Sequence, residues 1–193
     1  MNRYYITRRL WLTALAATLV LTGVAVSVSQ NRHSEKAIKN FGKINENYYR
    51  GSQPKQAEYA QLKKLGIKTV IDLRRDHERD AEEWAHAAGL AYFLIPMRPG
   101  TPATSEQTNY FLSLVNDSAN WPVYVHCKGG KHRTGALTAI YRISHDGWTA
   151  DQAYAEMKQY DFDDGFFGGP GAQKKFVYSF YDKIHATPNG AKK

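Results

Sequence analysis

Between residues 56 and 184 the apolar positions switch repeatedly between a helical spacing and short unbroken runs. Gln56–Leu65 has the helical spacing and stops at Gly66, a residue suited to the left-handed turn that closes helices. Ile67–Leu73 is an apolar run and predicts a buried strand. Asp76–Ala88 predicts a helix ending at Gly89, and Leu90–Ile95 a strand that Pro96 halts. Ser105–Ser118 predicts a helix and Val123–His126 a short strand. Thr134–His145 predicts a helix with so little charge that it belongs at the centre of the fold. Ala150–Tyr160 and Ala172–Ile184 add two more helices. Strands that alternate with helices imply an α/β fold, a central and mainly parallel sheet flanked by helices. Ligands of such folds bind beyond the C-terminal ends of the strands.

The N-terminus reads differently. Arg3, Arg8 and Arg9 precede an uncharged stretch, Leu10–Ser29. About 20 residues of helix span a bilayer core of roughly 30 Å. Basic charge before an apolar stretch predicts export, so residues 1–29 are a signal peptide or a signal anchor. The expected location is the periplasm, with the inner membrane as anchor if residues 10–29 are retained. Small residues at Ala25 and Ser27 suit cleavage, and Thr7–Leu12 resembles a twin-arginine signal. Residues 30–43 are polar and read as a linker, 44–186 as one domain, and 187–193 as a short polar tail.

At 193 residues and 42% hydrophobic content, the chain can bury a core without disulfide staples. Its single cysteine rules out an intramolecular disulfide and leaves a buried hydrophobe, a reactive thiol or an intermolecular link. Position decides among these, because Cys127 falls at the end of a predicted strand. The net charge is +8, and beyond residue 29 there are 23 basic against 18 acidic side chains. This mild excess suits an anionic substrate. No arginine-rich run or zinc pattern points to nucleic acid.

Cys127 opens the segment His126-Cys127-Lys128-Gly129-Gly130-Lys131-His132-Arg133-Thr134-Gly135. Between a strand and a helix, successive backbone N–H groups can point inward as an anion nest, and the helix N-terminus adds to it. Such a loop cradles phosphate, and the same field favours a thiolate at Cys127. Gly129 and Gly130 let the backbone turn close to the anion. Arg133, six residues on, can grip two phosphate oxygens and the charge of the transition state. Thr134 can assist the sulfur as it leaves, and Gly135 permits close packing of helix against strand. His126 orders the loop from behind, while Lys128, Lys131 and His132 add positive charge at the mouth.

This segment resembles the Cys-x5-Arg signature of the protein tyrosine and dual-specificity phosphatase superfamily. It is especially similar to the atypical plant and fungal dual-specificity phosphatases, with Gly129 where they usually carry Arg. Tyr49-Arg50-Gly51-Ser52-Gln53-Pro54, Ile71-Asp72-Leu73-Arg74 and the stretch from Tyr141 to Met157 resemble bacterial exported members. The resemblance implies a two-step phosphatase without metal or organic cofactor, with Cys127 as nucleophile. It implies a phosphorylated protein as substrate, or a small phosphorylated molecule such as an inositol polyphosphate or pyrophosphate. A phosphate-binding module without turnover is the alternative from another class.

One feature departs from the resemblance. These enzymes carry a general-acid Asp roughly thirty residues before the Cys, yet Ile95–Ala103 contains no carboxylate. A general acid matters most for poor leaving groups. Asp72 or Asp76 is the expected replacement, Asp163 and Asp164 are further candidates, and an ion pair of Asp72 with Arg74 or Arg75 is the structural alternative. Asp161–Gly169 reads as a solvated turn between helices.

Overall fold

A computed structural model describes residues 38–76, 80–163, 165 and 171–186. Five strands form one sheet: β1 (Gly42–Asn45), β2 (Tyr48–Ser52), β3 (Thr69–Arg74), β4 (Ala91–Met97) and β5 (Val123–Cys127). Their spatial order is β1-β2-β5-β3-β4. Only β1 and β2 pair antiparallel; the remaining neighbours are parallel. The helices are α1 (Gln56–Lys64), α2 (Ala81–Ala87), α3 (Ser105–Asn116), α4 (His132–His145), α5 (Ala150–Gln159) and α6 (Ala172–His185). This is the expected α/β architecture with a mostly parallel central sheet.

Strand alternation sends successive side chains to opposite faces. Val123, Val125 and Cys127 join Ile71 and Leu73 on the face covered by α3 and α4. Tyr124 and Val70 point the other way, against Tyr59 and Leu62 of α1 and Ala81 and Ala85 of α2. A third cluster joins Ala136 and Ala139 of α4 to Ala153 and Met157 of α5 and Val177 of α6. The central α4 is therefore buried almost all round, as its low charge predicts. Its neighbour α3 starts where Thr104 caps it, the threonine side chain accepting from Gln107 N and the Gln107 side chain accepting from Thr104 N.

Four expectations change. Pro96 does not halt β4. That strand lies at the edge of the sheet, and the register slips between Asp72↔Leu94 and Arg74↔Met97. An edge strand with a bulge tolerates a residue that cannot donate to the ladder. The second helix begins at Ala81 rather than Asp76, and Asp76 sits in the turn after β3. The domain begins before residue 44, because Ile38 is buried against the α1 face and β1 starts at Gly42. Gly135 packs toward α5 rather than a strand, and a Cβ there would meet Met157 at an ordinary 3.6 Å. The expected export segment, the upstream part of the linker and the polar tail lie outside the described residues. Among the described residues no helix is long and apolar enough to cross a membrane.

Candidate active site

Cys127 ends β5, opposite Ser52 of β2, and its side chain is 3% exposed. The chain then turns through Lys128–Lys131 and enters α4 at His132. Three successive carbonyls of this turn are held on one side by residues 40–53. Lys128 O accepts from Gln53 N at 3.3 Å, and Gly129 O from Asn40 Nδ2 at 2.8 Å. Gly130 O accepts from an Nη of the buried Arg50. Carbonyls fixed on that side leave the amide groups of the turn for the other, which is the geometry of an anion nest. Gly130 is required there: its φ is +66°, and a Cβ would lie 2.5 Å from the Gly51 carbonyl carbon. Gly129 is under no such constraint, since a Cβ there would meet only Lys131 side-chain carbons at 3.7 Å or beyond.

A cavity of about 570 Å³ opens over this turn. Cys127, Lys128, Gly129, Lys131, His132 and Arg133 line its base, with Asp76, Pro99, Gly100, Asp161 and Asp163 around them. Arg133 is itself nearly buried. Its Nη1 donates to Met97 O at 3.0 Å and Leu73 O at 3.4 Å, so the ends of β3 and β4 hold it from behind. Asp76 Oδ1 lies 3.8 Å from the same nitrogen. Thr134 is fully buried, and its hydroxyl has no hydrogen-bond partner among the described residues.

Three expected roles meet a different geometry. Asp72 is fully buried and absent from the cavity wall. It is paired in register with His126, on the face of the sheet opposite Cys127. Its oxygens accept from Arg74 N at 2.8 Å and Tyr92 Oη at 2.9 Å. The carboxylate thus ties the end of β3 together and has no path to a leaving group. The partner is Arg74's backbone rather than its guanidinium, which instead donates to Gln53 Oε1 and the Asp76 carbonyl. His132 is a weaker source of charge than expected, because burial, with Lys131 and Arg133 beside it, lowers its pKa and favours the neutral ring. Lys131 is engaged, 3.3 Å from Asp161. His126 lies behind the loop as expected, fully buried, with Nδ1 3.8 Å from Asp72.

The stretch read as a solvated turn contributes instead to the site. Asp161 and Asp163 line the cavity, and between them Phe162 is buried against His132. Asp164 lies outside the described residues. The sequence assigns no role to Asn40, and it shows Arg50 only within the stretch Tyr49–Pro54 that carries the resemblance. A signal for Arg50 was available: it shares strand parity with the apolar Tyr48 and so faces inward.

Residues 24–176 match the family described as DSP-PTPase phosphatase fused to NAD+ kinase. The chain belongs to this DSP-PTPase family. Among relatives of this DSP-PTPase, the dual specificity protein phosphatase TpbA of Pseudomonas aeruginosa is 30% identical over 125 residues, 65% of this chain and 56% of its own length. The chain thus spans little more than half of that relative. Inositol diphosphatase DSP4 of Arabidopsis thaliana is 26% identical over 126 residues, 63% of each chain. The crystal structure of P. aeruginosa TpbA superimposes with a TM-score of 0.63 at 26% identity, covering 79% of this chain and 93% of that one. The catalytic core of the PP-IP phosphatase SIW14 from S. cerevisiae gives 0.66 at 22% identity, covering 76% and 88%, and shows the shared fold.

Proposed function

We propose that this DSP-PTPase hydrolyses phosphate monoesters on proteins, as a tyrosine or dual-specificity phosphatase. The observation that carries the reading is the turn from Cys127 to Arg133, its carbonyls held outward at the base of a cavity that Arg133 overlooks. In this mechanism the Cys127 thiolate attacks phosphorus and forms an S–P bond as the P–O bond to the leaving group breaks. The amides of the turn and the Arg133 guanidinium take up the charge of the phosphoryl oxygens. Thr134 assists departure of the sulfur when water cleaves the S–P bond. Asp76 is the carboxylate assigned to protonating the leaving group: it lines the cavity beside Arg133, whereas Asp72 does not line it, Asp161 is paired with Lys131 at 3.3 Å and Asp163 Oδ1 accepts from Gly165 N at 2.9 Å. In support of a phosphoprotein substrate, a TpbA form with Ser in place of Cys has been solved in complex with phosphotyrosine.

A second reading, an inositol polyphosphate or pyrophosphate as substrate, is favoured by the inositol diphosphatase among the relatives. The Pro99–Gly100 wall supplies no carboxylate, which suits a phosphoanhydride because its leaving group needs little protonation. Against it, Asp76, Asp161 and Asp163 offset Lys128, Lys131 and Arg133 around the cavity, an arrangement unfavourable to a polyanion.

The deciding experiment assays the chain and its Cys127→Ser variant on phosphotyrosine and phosphoserine peptides and on inositol polyphosphates. The expected result is turnover of the phosphopeptides, lost in the variant, which still binds oxyanion. Turnover that survives the substitution refutes the mechanism, and oxyanion binding without any turnover by the native chain leaves a phosphate-binding module. Residues 10–29, outside the described structure, are proposed to carry the domain out of the cytoplasm.

A further inference from the structure

Arg50 stands opposite Val125 in the β2–β5 register, on the same face of the sheet as Cys127 and one strand away from it. Its side chain is fully buried. One Nη donates to the Gly130 carbonyl, and the Tyr160 ring lies 3.9 Å from the guanidinium carbon. Nε and the other Nη have no hydrogen-bond partner among the described residues, and no carboxylate there forms an ion pair with the group. Glu156, the acid in its neighbourhood, is held by Arg142 at 2.6 Å. Tyr48 and Tyr160 also face it.

A buried guanidinium with one carbonyl and one ring for company is costly, because desolvation is not repaid by a counter-ion. A structural pillar for the turn would not need the charge; a neutral donor would hold Gly130 O as Asn40 holds Gly129 O. The charge becomes favourable when an anion occupies the turn on its other side. We infer that Arg50 is a positioning residue and a built-in counter-charge for the oxyanion site: it fixes the Gly130 peptide and places a buried positive charge behind the bound phosphate. Arg133 grips the anion from the cavity, whereas Arg50 never touches it. Burial lowers the Arg50 pKa, opposed by Tyr48, Tyr160, Glu156 and, least, Cys127. The inference rests on the phosphatase reading and specifies how its anion site is charged.

The test is made in the Cys127→Ser chain, where tungstate binding is measured by calorimetry without turnover. Arg50→Met is expected to weaken binding about ten- to a hundredfold, the scale of a unit charge several ångströms from the anion at an effective dielectric of roughly 20. Arg50→Lys should recover most of that loss, and Asn40→Ala, which removes a neutral donor, should cost only a few-fold. Thermal melts establish that each variant is folded. If Arg50→Met does not fold, Arg50→Gln against Arg50→Lys decides, since both can donate to Gly130 O and only lysine carries charge. Equal affinity in that pair, or undiminished affinity in a folded Arg50→Met, overturns the inference while leaving the phosphatase reading intact. Failure of the Cys127→Ser parent to bind tungstate overturns both.

Discussion

Replacing Gly130 with alanine puts a methyl group where β2 already runs. The new Cβ would lie 2.5 Å from Gly51 C, 2.6 Å from Gly51 O and 2.7 Å from Ser52 N, all backbone atoms that cannot swing aside. The residue also sits at φ +66°, which costs an L side chain about 1–2 kcal/mol. Overpacking against fixed neighbours adds about 1–3 kcal/mol, so the total is about 2–5 kcal/mol. The loop can relieve the clash only by moving away from β2, which draws Gly130 O off Arg50 and turns its peptide out of the nest. Oxyanion binding should therefore fall by more than the loss of stability alone explains. Gly129→Ala is the matched control, one residue away, with its Cβ in ordinary contact with Lys131 side-chain carbons at 3.7 Å and its carbonyl held by a different donor. Melting temperature and inhibition by vanadate, measured on both variants, check the argument. If Gly130→Ala keeps native vanadate inhibition, or if Gly129→Ala loses as much, the loop is not held against β2 in the way described.

Asp76→Asn should cost little on an aryl phosphate with an acidic phenol and much more on an alkyl phosphate, since a poor leaving group depends on the proton. Asp72→Asn should instead lower both activities alike and lower the melting temperature; equal leaving-group dependence in the two variants would refute the assignment. Burial holds the pKa of His126 below its ordinary 6.5, so on acidification the unfolded chain takes up the proton first and stability falls as pH drops below about 6.5. Melts between about pH 7.5 and 5.5 should show this slope, and His126→Asn should lessen it. Fusing residues 1–40 to a reporter active only outside the cytoplasm should give signal, and a silent fusion beside an active cytoplasmic one would end the export proposal.

The strand–turn–helix unit around Cys127 was legible because a short apolar run, a glycine pair and a low-charge helical stretch follow one another there, and its Cys-x5-Arg spacing resembles the family signature. The order of elements followed from apolar spacing for the same local reason. The choice between Asp72 and Asp76 was not legible, because a carboxylate at the end of a strand says nothing of which face it takes. That depends on register, and Asp72 pairs with His126 rather than with Cys127. Pro96 signals a stop in the sequence, which does not disclose that β4 is an edge strand with a register shift. Gly42 and Lys43 read as the end of a polar linker, and only pairing with β2 makes Gly42–Asn45 a strand. The roles of Asn40 and Arg50 are not legible locally, because their partners are 89 and 80 residues away in sequence.

Those two separations have a bearing on when the protein acquires its chemistry. The amides beside Cys127 acquire their orientation from side chains that meet the loop only when the first strands of the domain close against the last one. A partly folded chain, even with α4 formed, has a thiol and an arginine without the oriented turn proposed to bind phosphate between them. Such a partly folded chain would be chemically silent, and activity would arise together with the last long-range pairing rather than ahead of it.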